Sequence, residues 1–286
     1  MAAPTDTSRQ RPSLIPSLAT MERFPWWLAI VVLVGALALY SILTAPFWQA
    51  AFVFVQTGLL YTIVISLVAF AISLVFGLLT GLGQLSRNVV FRNLSMLYVQ
   101  VVRGVPLLVQ VIFWAFVIVP AIVGVLNGLG NTLVSLGLGT LGRGLATLQI
   151  REIDMTYRAV AALAVAFGAF EAEVFRAGIE SIERGQMETA RSLGMTHFQA
   201  MRYIVLPQAI RVVLPPLGND FIAILKDSSL ISVLAVRELT HLGQLQRART
   251  FRSWESLGTV AFLYLALTLS LSALVRWIER RMAVER

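Results

Sequence analysis

The sequence predicts an all-helical bundle that crosses a membrane about six times. Hydrophobic residues make up 57% of the 286 residues and charged residues only 13%, whereas about a quarter of the residues in soluble domains are charged. Residues 24–86, 104–142 and 256–275 contain no Asp, Glu, Lys or Arg. Since a span needs roughly 20 apolar residues, each stretch is long enough for at least one, and an ordinary soluble domain is excluded.

Six spans and a polar N-terminal tail follow from these stretches. We expect residues 1–24, with their prolines and arginines, to form a disordered cytoplasmic tail. The first apolar run has 18 uncharged residues, longer than the roughly 7–15 of a signal peptide, so it is expected to be retained. The spans are placed at 26–43, 58–82, 94–119, 157–179, 208–225 and 257–277.

The domain boundaries follow from this pattern. Residues 25–56 are expected to form an additional first transmembrane helix and an external loop. Residues 57–280 would form the main transmembrane domain, and residues 281–286 a second cytoplasmic tail. Residues 124–144 are rich in glycine, which disfavours regular helix. We interpret them as a flexible external loop rather than as a re-entrant gate.

The arginines predict the orientation of the chain, because basic residues concentrate in cytoplasmic loops. The N-terminal tail, the loop after the second span and the C-terminus are basic, whereas residues 44–57 carry no basic residue. Both termini and residues 180–206 are therefore expected in the cytoplasm. The basic segment 226–253 must then lie outside, and a folded or re-entrant structure would explain its charge. We attribute the net charge of +8 to this topology and to anionic lipid, not to nucleic acid.

Residues 185–207 form a short polar stretch between two apolar segments. Residues 186–193 are predicted to form two helical turns. Glu188 would favour the positive N-terminal end of this helix, and Gly194 would supply its left-handed stop. Thr196 and Gln199 have the spacing of a capping box for a second helix, which Pro207 is expected to end. We call residues 185–207 the elbow.

Each helix of the elbow is predicted to be amphipathic. Apolar residues recur about once per turn in both: Met187, Ala190 and Leu193 in the first, Phe198, Met201 and Ile204 in the second. A polar stretch between spans has no core of its own, so we expect the elbow to present a face to another protein.

The spacing within the elbow is similar to that of a known loop. Glu188, Ala190 and Gly194 are followed after nine residues by Ile204, and then by Leu206 and Pro207. This pattern resembles the EAA loop of the membrane subunits of ATP-binding-cassette (ABC) importers, and departs from it only at Thr189, where the family usually has Ala. The resemblance implies a type I importer fold whose ATPase docks on these six residues.

Other stretches resemble the polar amino acid permeases of the same family. These are residues 103–110 (Arg-Gly-Val-Pro-Leu-Leu-Val-Gln), 171–179, 214–219 and 225–230, so that the resemblance covers about 58–278. It implies a bacterial inner-membrane permease for polar or charged amino acids. The implied partners are a cytoplasmic ATPase dimer, a second permease subunit that is a copy or a homologue, and an extracytoplasmic substrate-binding protein.

The chain shows no nucleotide-binding motif of its own. A phosphate-binding loop needs Gly-Lys-Ser/Thr, but Lys226 is the sole lysine and follows Leu225. We therefore expect no catalytic, cofactor or metal site in this chain, and ATP hydrolysis in a separate subunit. The absence of cysteine and the isolated positions of the two histidines agree with this.

Three polar or charged residues within the spans are candidates for a translocation pathway: Arg103, Asn219 and Asp220. An isolated acid at membrane depth is costly and tends to line a cavity. Arg103 could bind a substrate carboxylate, but a backbone carbonyl at a helix break near Pro106 is the preferred interpretation. Glu173 and Arg176 are expected to pair on one helix face.

Two other functional classes stay open at this point. A stand-alone ion-coupled carrier or channel would need paired repeats or a ring of pore charges, and neither is clear. A non-transporting assembly subunit would not need an intramembrane acid such as Asp220. Uptake that requires ATP and a binding protein would distinguish the importer from both.

Overall fold

The computed structural model describes residues 26–283, which fold as a bundle of α-helices with no strand in that range. The helices are α1 (Trp26–Thr44), α2 (Pro46–Val55), α3 (Leu59–Gln84), α4 (Val89–Gly104), α5 (Leu107–Phe113), α6 (Val119–Ser135), α7 (Gly139–Ala146), α8 (Met155–Glu180), α9 (Arg184–Ser192), α10 (His197–Ala200), α11 (Leu206–Asp227), α12 (Leu239–Thr250) and α13 (Ser253–Ala283). Short 3-10 segments (Gln56–Gly58, Ile150–Glu152 and Ser228–Leu234) and π turns (Trp114–Ile118 and Met201–Val205) join some of them. The predicted tail at 1–24 lies outside the described residues, as do residues 284–286 of the predicted tail at 281–286. Residues 281–283 of that tail belong to α13 instead.

Four helical segments within residues 26–283 are long and apolar enough to cross a membrane. They are Trp26–Thr44, Pro46–Gln84, Leu107–Ser135 and Ser253–Arg281. The predicted spans 157–179 and 208–225 are also long helices, α8 and α11, but they carry charges and fall short by composition. Much of α8 is buried against its neighbours, where its polar residues avoid lipid.

The predicted third span, 94–119, is wrong because the chain breaks in its middle. Val105 and Pro106 have extended backbone conformations between α4 and α5, and the apolar helix runs from Leu107 instead. A break within a membrane leaves carbonyls without helical donors. The side-chain amide of Gln110 donates to two of them, Val102 at 2.7 Å and Val105 at 2.8 Å.

Two segments predicted as loops are helical. Residues 46–55, expected to lie in an external loop, form α2, which packs on α13. The glycine-rich segment 124–144, interpreted as flexible, forms the end of α6 and most of α7, packed as a hairpin. A methyl group added at Gly130 would lie 2.3 Å from the Ala146 nitrogen, so glycine here allows close helix packing rather than flexibility.

The centre of the bundle is the pair α3 and α8. A methyl group added at Gly77 would lie 2.6 Å from the Cβ of Glu171, and one at Gly81 would lie 2.8 Å from the Ala172 carbonyl oxygen. The backbones therefore touch with no room for a side chain. The buried alanines of α8 continue this contact, and α4 and α11 pack on its other faces.

The contacts also fix which helix ends lie together. Residues 77 and 81 of α3 meet 171 and 172 of α8 in the same order, so the two helices run parallel and their C-terminal ends share one side. Gly58, at the start of α3, approaches Glu238 before α12 at the opposite side. The elbow and the loop after α3 thus lie at one end of the bundle. The basic segment 226–253 is folded, as expected.

We expect Gly77→Val to destabilise the bundle, because overpacking a tight contact costs about 1–3 kcal/mol. Gly35→Val is the matched control, since nothing lies within 4 Å of a methyl group added there. Thermal unfolding of the purified full-length variants should give a lower midpoint for Gly77→Val by roughly several degrees. Equal midpoints for the two variants would contradict the described contact.

Candidate coupling elbow and intramembrane groove

The first helix of the elbow ends as its sequence predicts. Gly194 has φ of +84°, a left-handed conformation that glycine adopts without strain. The Gly194 N–H donates to the Arg191 carbonyl at 3.0 Å and the Met195 N–H to the Ala190 carbonyl at 3.1 Å. This pair of bonds is the Schellman ending of a helix.

The start of this helix differs from the prediction. The helix begins at Arg184, two residues earlier than expected, so that Glu188 lies in the second turn rather than the first. Its side chain is exposed. Since the effect of the helix dipole fades within the first turn, stabilisation of the helix start is not its role, and the carboxylate is open to a partner.

The capping box of the second helix is present. The Thr196 hydroxyl accepts from the Gln199 N–H at 3.2 Å, and the Gln199 side chain accepts from the Thr196 N–H at 2.9 Å. The prediction that Pro207 ends this helix is wrong. A π turn, Met201–Val205, joins α10 directly to α11, and the Leu206 N–H donates to the Met201 carbonyl. The wider turn accommodates a proline that has no N–H of its own.

The elbow exposes most of its large apolar side chains. Leu193 is 80% exposed and Phe198 70% exposed, and Tyr203 and Leu206 are also open. Leu193 and Phe198 therefore do not pack inward against the bundle. Small and medium residues make the internal contacts: Ala190, Ala200 and Val205 are buried, and Ile204 is half-buried.

Between α4, α8 and α11 lies an open groove of about 510 Å³. Arg103 enters it from α4 and Asp220 from α11, so the fold brings together two of the three predicted pathway residues. Asn219 is exposed and is not among the residues that line the groove. Phe170 and Ser181 line it as well, and no motif or charge in the sequence marks either of them as a pathway residue.

Three charged residues line the groove, Arg103, Glu173 and Asp220, and they are held differently. The Arg103 guanidinium lies over the Phe170 ring, 5.3 Å from its centroid, a cation–π distance. The preferred sequence interpretation, a bond from Arg103 to a freed carbonyl, is wrong, because Gln110 occupies those carbonyls. Asp220 Oδ2 is buried and has no hydrogen-bond partner among the described residues. The groove thus presents a positive group on one wall and an unsatisfied acceptor on the other.

Other polar groups near the groove are already occupied. Arg176 pairs with Glu173, as predicted, and also with Glu180. Pro216 lines the groove beside Asp220 and has no N–H to donate to the Val212 carbonyl, which adds acceptor character to this wall.

Comparison with known proteins identifies the architecture. Residues 73–284 match the model of the family described as "Binding-protein-dependent transport system inner membrane component". The glutamine transport system permease protein GlnP of Escherichia coli (strain K12) is 34% identical over 237 residues, which cover 83% of this chain and 96% of that protein.

Two solved structures have the same fold. An amino acid ABC transporter with histidines superposes with a TM-score of 0.65 at 34% identity, covering 82% of this chain and 95% of that one. The MetNI methionine ABC transporter in an inward-facing conformation gives 0.59 at 17% identity, covering 80% and 96%; this likeness concerns the fold alone. The predicted all-helical, type I importer-like fold is confirmed, and the chain belongs to the family of binding-protein-dependent transport system inner membrane components.

Proposed function

We propose that this chain is the membrane-spanning permease subunit of an ABC importer that carries polar or charged amino acids into the cytoplasm. The family match supports an importer subunit over a stand-alone ion-coupled carrier or channel. The 34% identity to a glutamine permease supports amino acids as the substrate class. A second permease subunit, a pair of ATPases and an extracytoplasmic binding protein would complete the complex.

The observation that carries the coupling part of this proposal is the exposed face of the elbow. Leu193 and Phe198 leave large apolar surfaces uncovered at a polar end of the bundle, and an amphipathic helix of this kind fits a groove on a partner protein. We assign that groove to the ATPase. Ala190 and Ile204 would hold the elbow in shape from within, while Glu188, Leu206 and Pro207 lie on its open side.

The proposed orientation of the chain in the membrane follows from the parallel helices α3 and α8. The elbow, the loop after α3 and the C-terminal ends of α3 and α8 share one end of the bundle, and this end carries basic residues such as Arg87 and Arg191. We place it in the cytoplasm, with both termini. The opposite end, with α2 and α12, would then receive the binding protein.

The groove is proposed as part of the translocation pathway. A free amino acid carries a carboxylate and an ammonium group. Arg103 supplies a cation for the first, and the unsatisfied oxygen of Asp220 supplies an acceptor for the second. Asn219, next to Asp220 but outside the groove, would contribute only after a rotation of α11.

We expect Gly194→Ala to weaken coupling, because a side chain at positive φ costs about 1–2 kcal/mol and the elbow would relax to another bend. Gly185→Ala is the matched control: neither glycine has any atom within 4 Å of an added methyl group, and only Gly194 has a positive φ. The affinity of the ATPase for the reconstituted permease should fall up to about tenfold in Gly194→Ala alone. Equal affinities for the two variants would contradict this role.

Phe198→Asp should abolish ATPase association, since loss of an exposed aromatic anchor costs about 2 kcal/mol or more at an interface. Phe251→Asp is its control, because Phe251 is 90% exposed at the opposite end of the bundle. Copurification of tagged ATPase with each variant measures the effect. If both variants keep the ATPase, the elbow is not the docking face.

Asp220→Asn should reduce uptake of labelled amino acid in proteoliposomes at least about tenfold. This is the change in affinity expected from the loss of one hydrogen bond to a charged group. Asp154→Asn is a suitable control, because Asp154 caps α8 outside the groove and Asn caps helices equally well. ATPase copurification should stay normal in both. Normal uptake by Asp220→Asn would remove Asp220 from the pathway.

A further inference from the structure

A second acidic side chain lies in the contact between α3 and α8 without a cation to balance it. Glu171, on α8, is 0% exposed, and its Oε2 has no hydrogen-bond partner among the described residues. A buried carboxylate without a partner is strongly unfavourable, and such a group usually becomes neutral instead. The hydrogen bonds around Glu171 therefore indicate whether it is ionised or protonated.

If Glu171 is an ionised carboxylate, the hydrogen bonds around it lack one hydrogen. The Ser73 hydroxyl oxygen lies 2.7 Å from Glu171 Oε1 and 2.9 Å from the Phe70 carbonyl oxygen. Both are acceptors if Glu171 is ionised, but a serine hydroxyl has a single hydrogen. A protonated Glu171 resolves the conflict, because its O–H donates to Ser73, and Ser73 then donates to Phe70.

No cation is paired with Glu171 among the described residues, and Arg103 on the neighbouring helix α4 lies over the Phe170 ring instead. The facing helix α3 has no ionisable side chain near it, and residues 107–118 and 228–234 have none at all. From α4 comes Tyr98, whose hydroxyl donates to the Val165 carbonyl at 2.6 Å. From α11 comes Asp220, which interacts electrostatically with Glu171 as a like charge.

The arginines on α8 itself are engaged elsewhere. Arg176 pairs with Glu173 and Glu180. Arg158 is buried and donates to three backbone carbonyls, those of Ala115, Ile150 and Ile153.

We propose that Glu171 is a proton-binding site: it carries a proton at neutral pH and donates it to Ser73. Asp220, which is only half-buried and lines the open groove, is then the unpaired acid of this region, since Glu173 is paired with Arg176. Loss of the proton adds a second negative charge that interacts electrostatically with Asp220, and it leaves Ser73 short of a hydrogen. Glu171 is therefore a positioning residue, which acts on a transported cationic group through Asp220. This last step rests on the proposed function, whereas the proton site itself does not.

Infrared spectroscopy of the full-length permease in lipid tests the proton site directly, because protonated carboxyls and carboxylates absorb in separate bands. At neutral pH we expect one protonated carboxyl per chain that is absent in Glu171→Gln. Glu173→Gln is the control on the same helix and should leave this band unchanged, since Glu173 is paired with Arg176. Ser73→Ala should keep the band but shift it, because the acceptor of the proton is gone.

Identical neutral-pH carboxyl bands in wild type and Glu171→Gln would overturn the proposal. A Ser73→Ala spectrum without a shift would overturn the hydrogen-bond arrangement. Glu171→Gln is expected to fold, because its amide group can donate to Ser73 as the protonated acid does.

The pH dependence of uptake tests the positioning role. In the reconstituted complex, with labelled glutamine and arginine as probes, wild-type uptake should fall as Glu171 loses its proton in the alkaline range. The ratio of Glu171→Gln to wild-type uptake should then rise by up to about tenfold per pH unit, the slope of a one-proton titration. A ratio that is constant with pH would overturn the positioning role. If neither probe is transported at any pH, the proposed function fails while the infrared result stands.

Discussion

The contact between α3 and α8 is the constraint on which the rest of the structure depends. Gly77 and Gly81 let the two backbones touch, and in a membrane such close packing replaces the hydrophobic effect as the force that joins helices. Because the helices run parallel, the contact places the elbow and the loop after α3 at one end of the bundle. It also encloses Glu171 and leaves the opposite face of α8 to line the groove. A single pair of helices thus positions both functional regions.

Several buried polar side chains close gaps in the backbone rather than serve transport. Within a bilayer every N–H and C=O must find a partner inside the protein. Gln110 supplies donors to the carbonyls at the break before α5, and Arg158 does the same for three carbonyls near the start of α8. The Glu238 carboxylate accepts from the first N–H groups of α12. Polarity at membrane depth is therefore informative only when a group is left unsatisfied, as Asp220 Oδ2 is.

Some local signals in the sequence predict the elbow correctly, whereas the start of its first helix, the passage through Pro207 and the features that depend on distant contacts differ from the prediction. Gly194, Thr196 and Gln199 act within one helical turn, so the stop and the capping box of the elbow could be predicted. The break before α5 lies inside the predicted third span. It could not be predicted, because it is stabilised by Gln110, whose side chain donates to the preceding carbonyls of Val102 and Val105. Periodicity groups Leu193 with Ala190 but does not show what covers each. The site at Glu171 could not be predicted from the sequence, because its partner Ser73 lies 98 residues away in the chain.

The π turn after α10 joins the elbow to α11, the helix that carries Asp220 into the groove, in one helical segment. The helical backbone continues from His197 to Asp227, through the π turn and past the internal prolines Pro215 and Pro216. At roughly 1.5 Å of rise per residue, Phe198 and Asp220 are separated by about 33 Å along this segment. A tilt of about 5° at the elbow end would displace the far end by about 3 Å on this geometry. Arg103 stands on another helix and would not follow. If the ATPase moves the elbow as proposed, the same movement would separate Arg103 from Asp220, so that widening the passage and loosening its hold on an amino acid would be a single movement.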